Sequence, residues 1–436
     1  MRRGERLEAE IVALAHDGRG VARVDGKAVF VAGALPGERV AIEIRRRRRR
    51  MDEADLLEVL RASKDRVAAR CAHFGVCGGC SLQHLAAEAQ LAAKQQQLLD
   101  DLARIGRVRP LRIIPPLRGP EWGYRRRARL GVRYVPKKGR VLAGFRERDK
   151  PYLADLVRCE VLTGEFATLP AQLAALVGAL SIREHVPQVE LAAGDESAAL
   201  VLRVMQEPSD ADRVLLENFG RRLGVQIHLQ SAGPDSIRPL GAPAPALEYA
   251  IGGCDVRIRF GPADFVQVNR RLNDAMVGAA VAALDPLPGE TVLDLFCGLG
   301  NFTLPLARRA ARVVGIEGDA SLVEKARANA AANGIDNAQF HADNLFEPVS
   351  FGPWAAERYD LLLLDPPRAG ARELIERIVH WRPRRVVYIS CHPGSLARDA
   401  GILAASQEYE LAAAGVMDMF PHTTHVESIA VFERRQ

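Results

Sequence analysis

The spacing of apolar and polar positions changes along this chain, and three regions follow one another. Over residues 5–60 apolar positions recur in short alternating runs, among them Ala9-Glu10-Ile11-Val12-Ala13-Leu14, Val21-Ala22-Arg23-Val24, Ala28-Val29-Phe30-Val31 and Arg39-Val40-Ala41-Ile42-Glu43-Ile44. Turn pairs at Asp17-Gly18, Asp25-Gly26 and Pro36-Gly37 separate them. Short, evenly spaced strands of this kind predict a small barrel of oligonucleotide-binding type over residues 1–62. Residues 63–262 are mixed. Basic strands run through Arg148, followed by helices over 165–180 and 210–222 and strands over 198–205, 225–230 and 255–260, with a Pro- and Gly-rich loop over 232–246. From residue 263 the pattern becomes regular. Helix 269–284 leads into strand 292–296, then strand 312–316, helix 321–333, strands 337–342 and 359–364, helix 373–381, strand 385–390, helix 395–405 and two late strands, 409–419 and 425–433. This alternation predicts a doubly wound α/β sheet, and the closing pair without a helix predicts a hairpin at one edge.

A chain of 436 residues is long enough for two or three domains. Its N-terminus, MRRGERLEAE, lacks an apolar signal core, and no apolar run is long enough to span a bilayer. Seven cysteines, an odd number in a long chain, do not read as a secreted disulfide framework, so a cytoplasmic location is expected. Charge adds an asymmetry. Residues 1–160 hold 35 Lys+Arg against 20 Asp+Glu, whereas the remaining 276 hold 25 against 34. So basic a front half points to a polyanionic partner, RNA or DNA. Arg45–Arg50, six arginines between the last two barrel strands, form a solvated loop able to make salt-sensitive phosphate contacts. The stretch resembles the TRAM domain, an RNA-binding barrel attached to RNA-modifying enzymes.

Thr291–Asn301, TVLDLFCGLGN, joins a buried strand to a glycine loop and then to a helix starting at FTLPLARRAA. Such a turn lets the backbone approach a nucleotide-like ligand. The strand 312–316 ends at Glu317, placed to bind two ribose hydroxyls. Thr303 stands where a dinucleotide fingerprint needs its third glycine, so the pattern suits an adenosine ligand without phosphates, as in S-adenosylmethionine.

Cys71-x5-Cys77-Gly-Gly-Cys80, with Cys159 downstream, has the composition of a thiolate metal site; spacing alone does not separate zinc from a [4Fe–4S] cluster. Between them, Trp122-Gly-Tyr124-Arg125-Arg126-Arg127-Ala-Arg129 suits stacking on unpaired bases and phosphate contact, although a basic outer strand face explains it nearly as well.

Unusual residues stand at the carboxyl ends of the catalytic strands: Asp294, Glu317, Asp343-Asn344, Asp365-Pro366-Pro367-Arg368 and Ser390-Cys391-His392-Pro393. Asp343 or Asn344 is placed to meet an adenine. Asp365-Pro-Pro is similar to the loop that grips an amine in amino-group methyltransferases, with Arg368 in place of the aromatic. Cys391 is a candidate nucleophile for the other reading. Uracil C5 attacks a sulfonium methyl poorly until a thiolate adds at C6, and a base must later remove the C5 proton. Glu427 is the first choice for that base and His425 the second.

In order, Phe265-Val-Gln-Val-Asn269, Asp294-Leu-Phe-Cys-Gly-Leu-Gly-Asn301, Asp365-Pro-Pro-Arg-Ala-Gly370, Ser390-Cys-His-Pro393 and His422-Thr-Thr-His-Val-Glu427 resemble the RNA uracil-C5 methyltransferase family over nearly the whole chain. The resemblance implies a Rossmann-like S-adenosylmethionine-dependent domain over 263–436, behind a TRAM-like barrel (1–62) and a mixed α+β central region (63–262) with a basic RNA-binding surface. It implies a [4Fe–4S] cluster on Cys71, Cys77, Cys80 and Cys159. It implies Gln267, Phe296, Asn301, Glu317, Asn344 and Asp365 at the methyl donor, Cys391 as nucleophile and Glu427 as base. The barrel together with the cysteine spacing is similar to family members that methylate uracil-1939 of 23S ribosomal RNA. No membrane and no obligate protein partner is implied. Rival readings are the same chemistry on tRNA or another ribosomal uridine, an amino-group methyltransferase using Asp365-Pro366-Pro367, and a cluster-bearing RNA-binding or redox-sensing protein without turnover.

Overall fold

The alternating N-terminal runs form five strands in the computed structural model, which describes residues 3–242, 245–347 and 351–435. These are β1 (Arg6–Leu14), β2 (Gly20–Val24), β3 (Lys27–Ala32), β4 (Arg39–Arg47) and β5 (Met51–Arg61), closed in the order β1-β2-β3-β5-β4. Their inward positions, including Ile11, Val29, Val31 and Ile42, make a separate core. The arginine run is not wholly a loop. Arg45–Arg47 extend β4, with Arg46 and Arg47 opposite Glu53 and Asp52 of β5, so acidic neighbours hold half of the run in a strand.

Next come α1 (Ala87–Asp101) and β6 (Arg112–Ile113). The central region then supplies β7 (Arg127–Val135), β8 (Arg140–Gly144), α2 (Leu169–Ala179), β9 (Gln188–Ala193), β10 (Ala198–Arg203), α3 (Asp210–Leu223), β11 (Val225–Gln230) and β12 (Ile237–Pro239). Its sheet runs β12-β11-β10-β9-β7-β8. An antiparallel pair, β13 (Leu247–Ile251) and β14 (Val256–Phe260), follows.

The C-terminal part comprises α4 (Arg270–Leu284), β15 (Thr291–Leu295), α5 (Thr303–Ala307), β16 (Arg312–Glu317), α6 (Ala320–Ala332) and β17 (Ala338–Ala342). It continues with β18 (Leu361–Leu364), α7 (Arg372–Trp381), β19 (Arg385–Ser390), α8 (Pro393–Ala405), β20 (Tyr409–Met417) and β21 (Glu427–Arg434). The sheet order is β17-β16-β15-β18-β19-β21-β20-β6. Strands β15, β16, β18 and β19 are parallel and almost continuously apolar because helices cover both faces. Alternate residues feed two cores, Val292, Val313 and Leu363 on one side, Leu293, Val314 and Leu364 on the other.

Three further expectations change, and one helix lies where none is expected. The stretch 63–262 is not one unit: β6 pairs with β20 as the eighth strand of the catalytic sheet, and α1 packs on α8 and β20. Helix α1 itself carried no strong apolar period, because its buried face includes Gln90 and Lys94 beside Leu91 and Leu98. The helix after the glycine loop is only Thr303–Ala307. Finally, the 232–246 loop contains the short strand β12, and its residues 243–244 lie outside the described part. Among the described residues no helix is long and apolar enough to cross a membrane.

Candidate active site

Parallel pairing brings the ends of β15, β16 and β18 level, since Leu295 pairs with both Ile316 and Leu364. Just beyond, Phe296 takes a left-handed φ of 65°, and Gly298 and Gly300 take φ of 53° and 93°. The chain thereby turns sharply off the strand and aims an amide inward: Gly298 N donates to Glu317 Oε2 at 3.1 Å, while Asp319 N donates to Glu317 Oε1 at 3.1 Å. Thr303, in place of the third glycine, donates its hydroxyl to the buried Asp294 Oδ2 at 2.5 Å and fixes the loop from below. Burial first, then the nearby Asp365 and Glu317, push the Asp294 carboxyl up to about 7.

A cavity of about 610 Å³ opens over these strand ends. Gln267, Phe296, Glu317, Asn344, Asp365, Cys391, His425 and Glu427 line it, together with Phe265, Arg368, Phe346 and Phe420. Its volume suits one cofactor with room for a base. Burial raises the Asp365 carboxyl to about 7.

The nucleophile and base candidates come from adjacent antiparallel strands. Ser390 pairs with Ser428, whose hydroxyl donates to Ser390 O at 3.2 Å. Cys391, just past the end of β19, and Glu427, the first residue of β21, flank that last pair, and both stand on the cavity wall. Burial, then Asp365, push Glu427 up to about 8; Lys94 opposes them. Burial, then Glu427 and Asp365, push the Cys391 thiol up to about 11, with Arg368 opposing. A cavity crowded with carboxyl groups is suited to a cationic ligand such as a sulfonium.

Two expected donor contacts fall elsewhere. Asn301 turns away from the cavity, because its amide is engaged by Tyr249 Oη at 2.9 Å and by Asn273 at 3.0 Å in both directions. Asp343 is held structurally, its Oδ2 accepting from Gly352 N at 2.8 Å and Trp354 Nε1 at 2.7 Å. Its neighbour Asn344 reaches the cavity. Phe346 and Phe420 carry no signal in the sequence, since apolar residues in loops have no period, and Arg368 stands out there only as a replacement for an aromatic.

Cys71, Cys77, Cys80 and Cys159 surround a second cavity. Among the described residues no three His, Cys, Asp or Glu side chains are gathered closely enough to hold one metal ion. Burial and then the neighbouring thiols raise Cys77 to about 11 and Cys80 to about 12, against hydrogen bonds from the Gly79 amide to Cys77 and from Gln83 to Cys80. The Trp122–Arg129 stretch does not present its aromatics to solvent as expected. Trp122 stacks on His422 with centroids 3.8 Å apart, and Tyr124 Oη donates to Pro421 O at 3.2 Å. Arg126 is buried, its Nε donating to Gln267 O at 2.9 Å and its guanidinium lying 4.4 Å from the Tyr249 ring centre. Through Trp122, Tyr124 and Arg126 the segment fastens the central region to the catalytic part, whereas Arg129 stays exposed and pairs with Glu190.

The sheet order, the antiparallel β21 and the glycine loop beneath the cavity define an S-adenosylmethionine-dependent methyltransferase domain. Residues 246–346 and 354–435 match the family described as tRNA (Uracil-5-)-methyltransferase, and residues 2–57 match the TRAM domain. The 23S rRNA (uracil(1939)-C(5))-methyltransferase RlmD of Methylococcus capsulatus is 51% identical over 99% of this chain and 97% of its own. Its counterpart in Stenotrophomonas maltophilia is 50% identical over 98% and 97%. The crystal structure of the Pyrococcus abyssi tRNA (uracil-54, C5)-methyltransferase in complex with S-adenosyl-L-homocysteine superimposes with a TM-score of 0.74 at 25% identity, covering 98% of this chain and 99% of that one. The chain belongs to the RNA uracil-C5 methyltransferase family, with its greatest likeness among these to the ribosomal RNA enzymes.

Proposed function

We propose that this protein transfers a methyl group from S-adenosylmethionine to C5 of uracil-1939 in 23S ribosomal RNA, the reaction its relatives' names state for those enzymes. The observation that carries the chemistry is that Cys391 and Glu427, the residues just beyond the last pair of the β19–β21 ladder, both line one acidic cavity. The Cys391 thiolate adds to C6, forming the S–C6 bond and moving the π pair onto C5 and O4. C5 then attacks the sulfonium methyl, whose carbon–sulfur bond breaks to release S-adenosylhomocysteine. Glu427 takes the C5 proton; the C5–H pair restores the C5–C6 double bond and the S–C6 pair returns to Cys391. The positive donor offsets the carboxylates that otherwise keep the thiol protonated.

In this reading Glu317 binds the ribose hydroxyls, Phe296 and Asn344 frame the adenine, and Gln267 and Asp365 lie nearer the methyl and base. Cys71, Cys77, Cys80 and Cys159 would hold a [4Fe–4S] cluster. Four thiols around one cavity suit it, and burial raises the pKa of Cys77, Cys80 and Cys159, so a bound cation would be what makes them thiolates. Methylation has no redox step, so the cluster would fasten loops. The barrel would carry RNA at the rim: a Cβ on Gly18 would lie 3.0 Å from Thr424 and 3.2 Å from Leu82, so its turn abuts the loop before Glu427. A ribosomal RNA substrate goes with a cytoplasmic location.

The test uses tritiated donor with 23S ribosomal RNA or tRNA, each also made with 5-fluorouracil. Fluorine at C5 cannot leave as a proton does, so the adduct persists. A protein–RNA adduct mapped to Cys391 on the ribosomal transcript is expected. An adduct on tRNA alone, which the fold of the Pyrococcus enzyme makes the second reading, would keep the chemistry and overturn the substrate. Labelling without any adduct would favour an amino-group acceptor.

A further inference from the structure

A buried cation stands close enough to Glu427 to act on its charge. Lys94 of α1 is 3% exposed, and its Nζ donates to Asp418 Oδ1 at 2.7 Å and to Phe420 O at 3.0 Å. Met417, just before Asp418, is the cross-strand partner of Glu427. One turn earlier on α1, Gln90 accepts from His422 N at 2.9 Å and donates to Leu82 O at 3.1 Å and Leu85 O at 2.8 Å. Two buried polar side chains four residues apart therefore hold residues 418–422, the first half of the turn leading into the base. Burying an ammonium is costly, and a buried ion pair is a poor device for stability alone. Burial indeed pulls the Lys94 amine down, with Asp418 and then Glu427 holding its charge.

We propose that Lys94 is a positioning residue for Glu427: its ammonium, anchored by Asp418, stabilises the carboxylate that receives the C5 proton. The proposal rests on the reading of Glu427 as the base. The groups facing Glu427 are Lys94 from α1, Asp365 from the end of β18 and Cys391 from the end of β19, with Arg368 and His425 on the same cavity wall. Without the ammonium, repulsion from Asp365 is unopposed and Glu427 keeps its proton to higher pH, so release of the methylated base slows while formation of the adduct does not.

The experiment follows full-length protein with 23S ribosomal RNA labelled with tritium at uracil C5, reading both proton release and the methylated covalent adduct on denaturing gels. Lys94→Met is expected to accumulate methylated adduct at pH 7 and to shift the proton-release profile upward by about one pH unit, about tenfold slower at pH 7. Lys94→Arg should restore most of the wild-type profile. Lys94→Met/Asp418→Asn, which leaves no unpaired buried carboxylate, should match Lys94→Met and decides the matter if the single variant does not fold. A double variant with the wild-type profile, or one that loses all steps equally without adduct, overturns the proposal. Glu427→Gln serves as the reference. If it traps adduct while the Lys94 variants do not, only the Lys94 role fails; if it releases the base normally, the mechanism itself fails.

Discussion

The two cavities differ in what shapes them. The one over the β-strand ends takes its chemical groups from residues at or just past the ends of paired strands, Glu317, Asp365, Cys391 and Glu427 among them, so the sheet sets where those groups stand. The cysteine cavity is walled by loops: Cys71, Cys77 and Cys80 lie outside regular structure, apart from a single bridge between Cys77 and Glu147, and Cys159 follows a strand-free stretch. The first holds carboxyl groups poised near neutrality, the second thiols pushed far above it. A sheet can hold such groups in place unaided, whereas crowded thiols in loops need a cation among them to become thiolates. The two are joined, since Ser81 N and Leu82 N, just after Cys80, both donate to His422 O at 2.9 Å.

The sharpest way to break this contrast is at the strand ends. Cys391→Ala should abolish methyl transfer, by about 10⁴-fold or more in turnover, while leaving S-adenosylhomocysteine affinity unchanged, as titration calorimetry would record. Glu427→Gln should lower turnover by about 10²- to 10⁴-fold and leave methylated adduct on the protein. At the other cavity, Cys80→Ser, or oxidative loss of the cluster proposed for it, should weaken RNA binding by about tenfold and cofactor binding less, measured by filter binding and calorimetry. Equal loss of both would show that the cysteine cavity supports the whole molecule. Donor affinity should fall severalfold between pH 8 and pH 6. Asp365, raised to about 7, is mostly ionised at the upper value and mostly neutral at the lower, and only the ionised form attracts a sulfonium. The smallest effect belongs to the barrel: Arg46→Ala should reduce the salt dependence of RNA binding by about one unit of slope with little change in turnover.

Much of the catalytic sheet was legible because buried parallel strands such as Leu361–Leu364 and Arg385–Ser390 are short apolar runs that end in chemistry-bearing residues. Helix α1 was not legible, since its inward Gln90 and Lys94 look like surface residues until their partners at 418–422 are known. The Trp122–Arg129 stretch misled for the same reason: the composition of an RNA-stacking strip is also that of a buried clamp.

By itself the sequence determined which residues could do chemistry: the glycine loop, the acidic strand ends, Cys391, Glu427 and the four cysteines, because residue type and local spacing decide these. Only the tertiary structure decided which of them share a wall. It drew Asn344 to the cavity and tied Asp343 to Trp354, turned Asn301 toward Tyr249, and paired Lys94 with Asp418 on the turn that leads to Glu427. Partners more than three hundred residues apart, as Lys94 and Asp418 are, leave no periodic trace in either segment; the packing of α1 on the catalytic sheet is what makes them neighbours.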